Sequence, residues 1–176
     1  EVLRKQVKRM LEDPRSGALS TEFIGQWLGV RQFENFNGID RKRFPSFTNA
    51  LRKSMYQEPL RYFGDVVKRN GSLVSLIGGR HAIVNRVLAD HYGLPVPDGM
   101  GDGVWFRVER ADQQGRGGLL PMGVFLTSNS SGLRTSPVRR GYWVVHRLLG
   151  EHIPPPPPKV PDLPADEAEL GDVTLR

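Results

Sequence analysis

The sequence of 176 residues contains no cysteine. Disulfides, thiolate metal sites, cysteine nucleophiles and covalently attached haem are therefore excluded within this chain. Hydrophobic residues make up only 38% of it, below the roughly 45–50% that is usual for globular domains. No run of about 18 apolar residues is present, so we predict no membrane-spanning segment. Glycine and proline are abundant instead, at 20 and 14 residues.

Signatures of several enzyme classes are missing as well. There is no HExxH zinc-protease motif, no G-x-S-x-G nucleophile elbow and no phosphate-binding P-loop. The GMGDG segment lacks the strand–turn–helix setting that a dinucleotide site requires. Of the four histidines, His81 or His91 could ligate a metal or haem iron across the fold. A plain structural role is the more common one for such a histidine.

Charge is unevenly distributed along the chain. The formal net charge is +6, but residues 154–176 carry two cations and five carboxylates, which leaves +9 on residues 1–153. A basic body of this kind can attract an anionic polymer or an acidic neighbouring domain. The alternative is a solvated surface whose charge is balanced by acidic parts of a longer parent chain. No nucleic-acid-binding motif accompanies the charge, so nucleic acid is not expected as a partner.

Hydrophobic periodicity predicts three helices in the first part of the chain. An amphipathic helix covers residues 1–12. A second helix begins near Ser20, with Ser20 or Thr21 as its N-cap. A long helix covers residues 47–68, and Pro59 should kink or split it.

Shorter helices are expected further along the chain. Their predicted positions are residues 72–77, 84–92 and 119–126. A last helix covers 136–149, because Ser136-Pro137 supplies a hydroxyl N-cap followed by proline at the first helical position. One apolar stripe of this helix consists of Val138, Tyr142, Val145 and Leu149.

The predicted fold is mainly α, an irregular multi-helix bundle with at most a short β element near 104–110, where apolar and polar residues alternate. Five consecutive prolines at 154–158 predict a stiff polyproline II linker, and an acidic tail follows it. We divide the chain into a helical region at 1–98, a second helical region at 99–153, and the linker and tail at 154–176.

The polar segment 127–141 is the part of the sequence that packing explains least. Many hydroxyl side chains precede the helix start there, and Arg139 and Arg140 fall in the first turn, where the helix dipole disfavours cations. Backbone N–H groups, hydroxyls and guanidiniums together suit a carboxylate, phosphate or sulfate. The alternative is a loop held by hydroxyl-to-backbone bonds and an Arg–carboxylate pair.

The three tryptophans allow two interpretations. Trp27, Trp105 and Trp143 together would suit a sugar-stacking platform. Trp27 and Trp143 lie near apolar helix faces, which favours core packing for both. Trp105 begins the predicted strand beside a loop, so it is the better candidate for contact with a ligand.

Several motifs occur in an order that is typical of one bacterial group. RGGLL is followed by FLTSNSSGLRTSPVRRGYW and by a proline run that ends in KVP. Upstream lie RMLEDPRS, FIGQWLGV, FPSFTNALRKSM and IVNRVLADHYGLP. This pattern resembles the cytochrome-associated domains of unknown function first catalogued in planctomycetes, the PSCyt and PSD group. The residues that match it in the second half are Arg116, Arg134, Thr135, Ser136, Pro137, Arg140, Gly141 and Trp143.

The resemblance implies a large parent protein that is periplasmic or secreted. Such proteins commonly carry a c-type haem domain elsewhere, and a C-x-x-C-H-like element tends to follow a segment similar to DVTLR. The chain, whose two ends look like cuts, would then stop short of that element. We expect no cofactor within the chain, and other domains of the same parent as its partners.

Together these observations predict a scaffold or docking domain of an extracytoplasmic, c-type-haem-associated protein. One alternative is the substrate-binding part of an oxidative or hydrolytic enzyme that acts on polysaccharide. Another is a module that binds anionic polymers. No catalytic or metal-binding residue is assigned. The residues proposed to bind a small anion or a partner are Arg116, Arg134, Thr135, Ser136 and Arg140.

Overall fold

The computed structural model describes residues 1–130 and 133–154. The helices are α1 (Val2–Glu12), α2 (Gly17–Leu19), α3 (Gly25–Trp27), α4 (Asn49–Lys68), α5 (Ser75–Gly78), α6 (Arg86–Tyr92), α7 (Gly123–Ser128) and α8 (Pro137–Trp143). π-Helical segments lie at Ser20–Ile24 and Val144–Leu148, and 3-10 turns at Pro14–Ser16, Phe33–Asn35 and Ala111–Gln114. Strands β1 (Ala82–Val84) and β2 (Phe106–Val108) pair antiparallel. The described part is therefore mainly α with one short sheet, which confirms the predicted fold class.

Helix α4 lies at the centre of the molecule. The Thr48 hydroxyl caps it by accepting a hydrogen bond from the Leu51 N–H at 3.1 Å. Pro59 does not split the helix, which is continuous from Asn49 to Lys68. Its ring is buried, and burial of the neighbouring apolar residues offsets the hydrogen bond that proline cannot make. The buried residues of α4 are Leu51, Ser54, Met55, Glu58, Pro59, Tyr62, Phe63 and Val66.

The N-cap that we predicted at Ser20 or Thr21 is wrong. Helical structure continues from Gly17 through the π-helical segment to Trp27, so Ser20 lies inside it. Ser20 is buried, and a Cβ on Gly64 of α4 would lie 3.4 Å from its hydroxyl oxygen. The small side chain thus permits close packing on α4 instead of marking a helix start.

Strand β1 was also missed by the sequence prediction. The helix expected at 84–92 begins only at Arg86, and Asn85 is its N-cap, accepting a hydrogen bond from the Leu88 N–H at 3.1 Å. The three preceding residues are fully buried and pair with β2, with Ile83 opposite Arg107. A three-residue strand is fixed by its distant partner, so local periodicity did not reveal it.

The last helix begins as predicted but presents a different face to the core. The Ser136 hydroxyl accepts a hydrogen bond from the Arg139 N–H at 3.3 Å, and Pro137 occupies the first helical position. Trp143 is buried, whereas Val138, Tyr142 and Leu149 of the predicted stripe are between 51% and 74% exposed. The proline linker and acidic tail lie, apart from Pro154, outside the described residues.

In the described part of the chain, one hydrophobic core contains buried side chains from Ile24 to Trp143. Helix α1 forms as predicted but contributes no buried residue to that core. Between residues 1–130 and 133–154, no helix combines the length and the apolar character needed to cross a bilayer.

Candidate functional site

The residues predicted to bind an anion or a partner belong to two segments of the chain. Arg134, Thr135, Ser136 and Arg140 lie at the start of α8. Arg116 instead contacts the core side of α6, with its guanidinium 4.0 Å from the centre of the Tyr92 ring. Anion binding by these residues stays a prediction.

The polar segment before α8 is shorter than the sequence indicated. Thr127 and Ser128 belong to helix α7, which ends at Ser128. The Asn129 amide and the Ser130 hydroxyl donate hydrogen bonds to carbonyls of the same helix, at 2.9 and 2.7 Å. The Arg139 guanidinium donates to the Ser130 carbonyl at 3.3 Å, so these contacts tie the α7 end to the α8 start. Residues 131–132 lie outside the described part.

A buried polar network connects α4, α6 and α7. The Tyr92 hydroxyl donates a hydrogen bond to Glu58 Oε2 at 2.7 Å and accepts one from the Gly123 N–H at 2.8 Å. Glu58 is only 2% exposed. Arg116 closes the network, because it lies over the Tyr92 ring and donates to the Pro121 carbonyl.

The environment of Glu58 changes its acidity. Burial raises the pKa of this carboxyl to about 8, although the Tyr92 hydrogen bond and the Arg116 charge oppose the rise. Burial and the Glu58 charge also raise the pKa of Tyr92 well above its usual range. The network can therefore hold or release one proton near neutral pH, at a place that solvent barely reaches.

A second polar cluster surrounds His81 at the edge of the sheet. Both carboxylate oxygens of Asp65 accept hydrogen bonds from arginines, Oδ1 from Arg69 and Oδ2 from Arg107, each at 2.7 Å. His81 stacks on Tyr62 with 4.6 Å between ring centres. Its Nε2 atom is buried without a hydrogen bond and lies 3.9 Å from Asp65 Oδ2.

The protonation of His81 follows from those contacts. Burial lowers the pKa of the imidazole, the Arg107 charge lowers it further, and Asp65 opposes both. The ring is therefore neutral at pH 7, and its contact with Asp65 is not an ion pair. Burial and the Arg116 charge likewise lower the pKa of His91. Within residues 1–130 and 133–154, no three histidine, aspartate or glutamate side chains form a group able to hold a metal ion.

Sequence reasoning missed the buried carboxyl. Glu58 follows Met55 by three positions and precedes Tyr62 by four, so all three share one face of α4. The presence of a glutamate on this apolar helix face was the sequence signal that could have indicated its burial. Its partner Tyr92 was predicted only as the last residue of the helix at 84–92.

The RGGLL motif lies directly across the α5 turn. The Leu119 N–H donates to the Leu76 carbonyl at 2.7 Å, and Leu119 is fully buried. Gly117 and Gly118 have φ angles of +135° and +70°. A Cβ on either glycine would collide with a backbone carbonyl of α5 or Gly79. Only glycine permits this close approach of two backbones.

Aromatic side chains also connect the first part of the chain with its last described helix. Trp143 of α8 lies 5.4 Å from Trp27 and 4.9 Å from Phe125, measured between ring centres. The Trp27 indole N–H donates to the Arg147 carbonyl at 3.2 Å. The predicted core role of Trp143 is confirmed by its burial. Trp105 is half-buried, and the Arg61 guanidinium lies 4.6 Å from its ring centre.

Comparison with known proteins assigns both halves to described families. Residues 1–94 match the family PSD4, described as a protein of unknown function (DUF1592). Residues 116–176 match the family PSCyt3, described as a protein of unknown function (DUF1588). Both are planctomycete cytochrome-associated domains. No curated protein and no solved structure matches the chain.

Proposed function

Because the chain belongs over residues 1–94 to the PSD4 family of planctomycete cytochrome-associated domains and continues into a PSCyt3 segment, we propose that it is a scaffold or docking domain. Its parent would be a large extracytoplasmic bacterial protein associated with c-type haem. The parent's other domains would be its partners.

One observation supports this proposal most directly. Residues of the family motifs make the contacts between the PSD4 segment and the PSCyt3 segment. Arg116, Gly117, Gly118 and Leu119 of RGGLL contact α5, α6 or the residues next to them. Trp143, which follows the RTSP element, contacts Trp27 of the PSD4 segment. These side chains and glycines build a rigid joint, which is what a domain that holds others in position requires.

In this proposal, the haem of the parent protein is attached outside this chain. Covalent attachment of c-type haem requires cysteines, and the chain contains none. His81 does not fit an axial ligand, because its Nε2 is enclosed beside Asp65 and its ring is stacked on Tyr62. Within this proposal, the chain supplies a surface that faces the haem segment.

The start of α8 is the surface that we assign to this contact. Arg140 and Arg134 are half-buried, so their guanidiniums are partly ordered by the fold. The Ser136 cap and the Arg139–Ser130 hydrogen bond fix the backbone around them. Partly buried guanidiniums are suited to an anionic group such as a haem propionate or an acidic segment.

Replacement of Arg134 and Arg140 by alanine in the full-length parent tests this assignment. Positive charge near a haem favours the reduced state, so the double variant should lower the reduction potential. A shift of roughly tens of millivolts is expected, since about 59 mV corresponds to a tenfold change for one electron. Spectroelectrochemical titration measures it.

Lys42→Ala with Lys53→Ala is the matched control, because it removes the same charge from exposed positions outside α8. Equal shifts in both double variants, or an unchanged potential in the first, would contradict the assignment. Turnover of an anionic polysaccharide by the isolated chain would instead favour the enzymatic alternative. Salt-sensitive retention on that polysaccharide without turnover would favour the binding module.

A further inference from the structure

Helix α1 exposes most of its surface, including four of its five apolar side chains. None of its eleven residues is buried. The exposed fractions of its apolar residues reach 75% for Val2, 78% for Leu3, 47% for Val7 and 61% for Met10. This is a larger run of uncovered apolar side chains than packing in the described fold explains.

The charges of α1 are arranged around that apolar face in a definite order. At 100° per residue, the five apolar residues from Val2 to Leu11 occupy about half of the helix circumference, and Gln6 is the polar residue among them. Arg4 falls at one boundary of this half and Arg9 at the other. Glu1 and Glu12 fall near the middle of the opposite face.

The two lysines of α1 are paired with glutamates, so the net positive charge of the helix lies at the two boundaries of its apolar half. Lys5 lies 3.1 Å from Glu1, and Lys8 lies 3.9 Å from Glu12, as nitrogen–oxygen distances. The helix region carries four cations and two carboxylates, so its net charge of +2 corresponds to Arg4 and Arg9. Long cationic side chains beside an apolar face can extend to an anionic layer while the face is immersed.

We propose that α1 binds the surface of a lipid bilayer that contains anionic phospholipids. Its apolar half would enter the boundary between headgroups and acyl chains, and Arg4 and Arg9 would contact lipid phosphates. A bilayer fits better than a protein groove because both edges of the apolar face are cationic and the carboxylates point away from it. The inference does not depend on the scaffold role proposed above.

Vesicle sedimentation with the 176-residue chain tests the proposal. The chain should bind vesicles of phosphatidylcholine with phosphatidylglycerol more tightly than vesicles of phosphatidylcholine alone, and added salt should weaken the binding. Leu3→Gln with Val7→Gln removes apolar area without changing charge and should lower the partition coefficient by about tenfold or more. The control variant near α8, Val138→Gln with Leu149→Gln, changes similarly exposed positions in α8 and after the π-helical segment that follows it, and should leave the coefficient unchanged.

A second pair of variants isolates the electrostatic part. Arg4→Gln with Arg9→Gln should lower binding to the anionic vesicles by roughly tenfold or more. Lys42→Gln with Lys53→Gln, which removes the same charge elsewhere, should have a clearly smaller effect. Far-UV circular dichroism verifies that each variant is folded.

Three outcomes would overturn the proposal. The first is absence of binding to the mixed vesicles. The second is an equal loss of binding in the α1 and α8 variants, which would indicate a non-specific effect. The third is concentration-dependent dimerisation that Leu3→Gln with Val7→Gln abolishes, without vesicle binding. That result would make α1 a contact between two copies of the chain.

Discussion

At the scale of single residues, Glu58 is the most unusual side chain in the described fold. It is 2% exposed, and among residues 1–130 and 133–154 the Tyr92 hydroxyl is its hydrogen-bond partner. Burial of a carboxylate costs more than burial of the neutral acid, which is why its pKa rises to about 8. The Arg116 guanidinium over Tyr92 limits that rise but does not cancel it.

This raised pKa predicts a specific pH dependence of stability. Between the ordinary glutamate pKa of 4.5 and about 8, the folded chain holds a proton on Glu58 that the unfolded chain has released. The free energy of unfolding should therefore fall as pH rises through this window and level off above it. Glu58→Gln should remove that slope, an effect on the order of 3 kcal/mol between pH 5 and 9. Urea unfolding at a series of pH values measures it.

The comparison with the glutamine variant isolates Glu58 from other titrating groups. His81 and His91, whose pKa values are lowered by burial, affect the wild type and the variant alike. Glu12→Gln makes the same chemical change at an exposed position and should keep the wild-type slope. Parallel pH profiles of wild type and Glu58→Gln would show that Glu58 is not protonated in the fold.

At the scale of elements, the RGGLL motif and the α5 turn are held together by their backbones. Leu119 reaches the Leu76 carbonyl because Gly117 and Gly118 adopt positive φ angles. Tyr62 of α4 supports the other side of the turn, where its hydroxyl donates to the Ser75 carbonyl at 2.8 Å. A motif that is read in the sequence as a family signature is thus explained by packing geometry.

Gly118→Ala should therefore destabilise the chain strongly. Its φ angle of +70° disfavours a side chain, and the new Cβ would collide with the Ile77 carbonyl. We expect a loss of roughly 2–4 kcal/mol in the free energy of unfolding. Gly17→Ala is the control, since no atom lies within 4 Å of its Cβ position and its φ angle is −56°. A loss of similar size in both variants would disprove the packing role.

At the scale of the whole molecule, the segments from the two families share one core. Ring contacts lead from Phe63 on α4 through Phe23, Trp27 and Trp143 to Phe125 on α7. The division of the chain at residues 98 and 99 stays a prediction about domain boundaries. The packing on both sides of it nevertheless predicts that the two regions unfold together.

Trp143→Ala tests this shared core. Truncation of a buried tryptophan should cost about 3–5 kcal/mol. In the wild type and in the variant, α4 and α7 amides should lose hydrogen-exchange protection in the same global unfolding event. Tyr142→Ala, at a residue that is 51% exposed, should cost less than about 1 kcal/mol. Protection that persists in α4 after it is lost in α7 would indicate two independent units.

The sequence by itself determined the elements whose signals are local. The helix predicted over 47–68 ends where α4 ends, at Lys68, and Ser136-Pro137 marked the start of α8, because turn and cap preferences act within a few residues. The missing cysteines excluded covalent haem attachment within the chain without any structure. The family motifs could also be recognised from the order of residues in the sequence.

The surroundings of each element became clear only in the folded chain. It placed Ser20 inside a helix, made Ala82–Val84 a strand, enclosed Glu58, and left Tyr142 and most apolar side chains of α1 in solvent. Burial and strand pairing depend on contacts between segments that are distant in the sequence. The spacing of neighbouring residues does not report the free energy of those contacts.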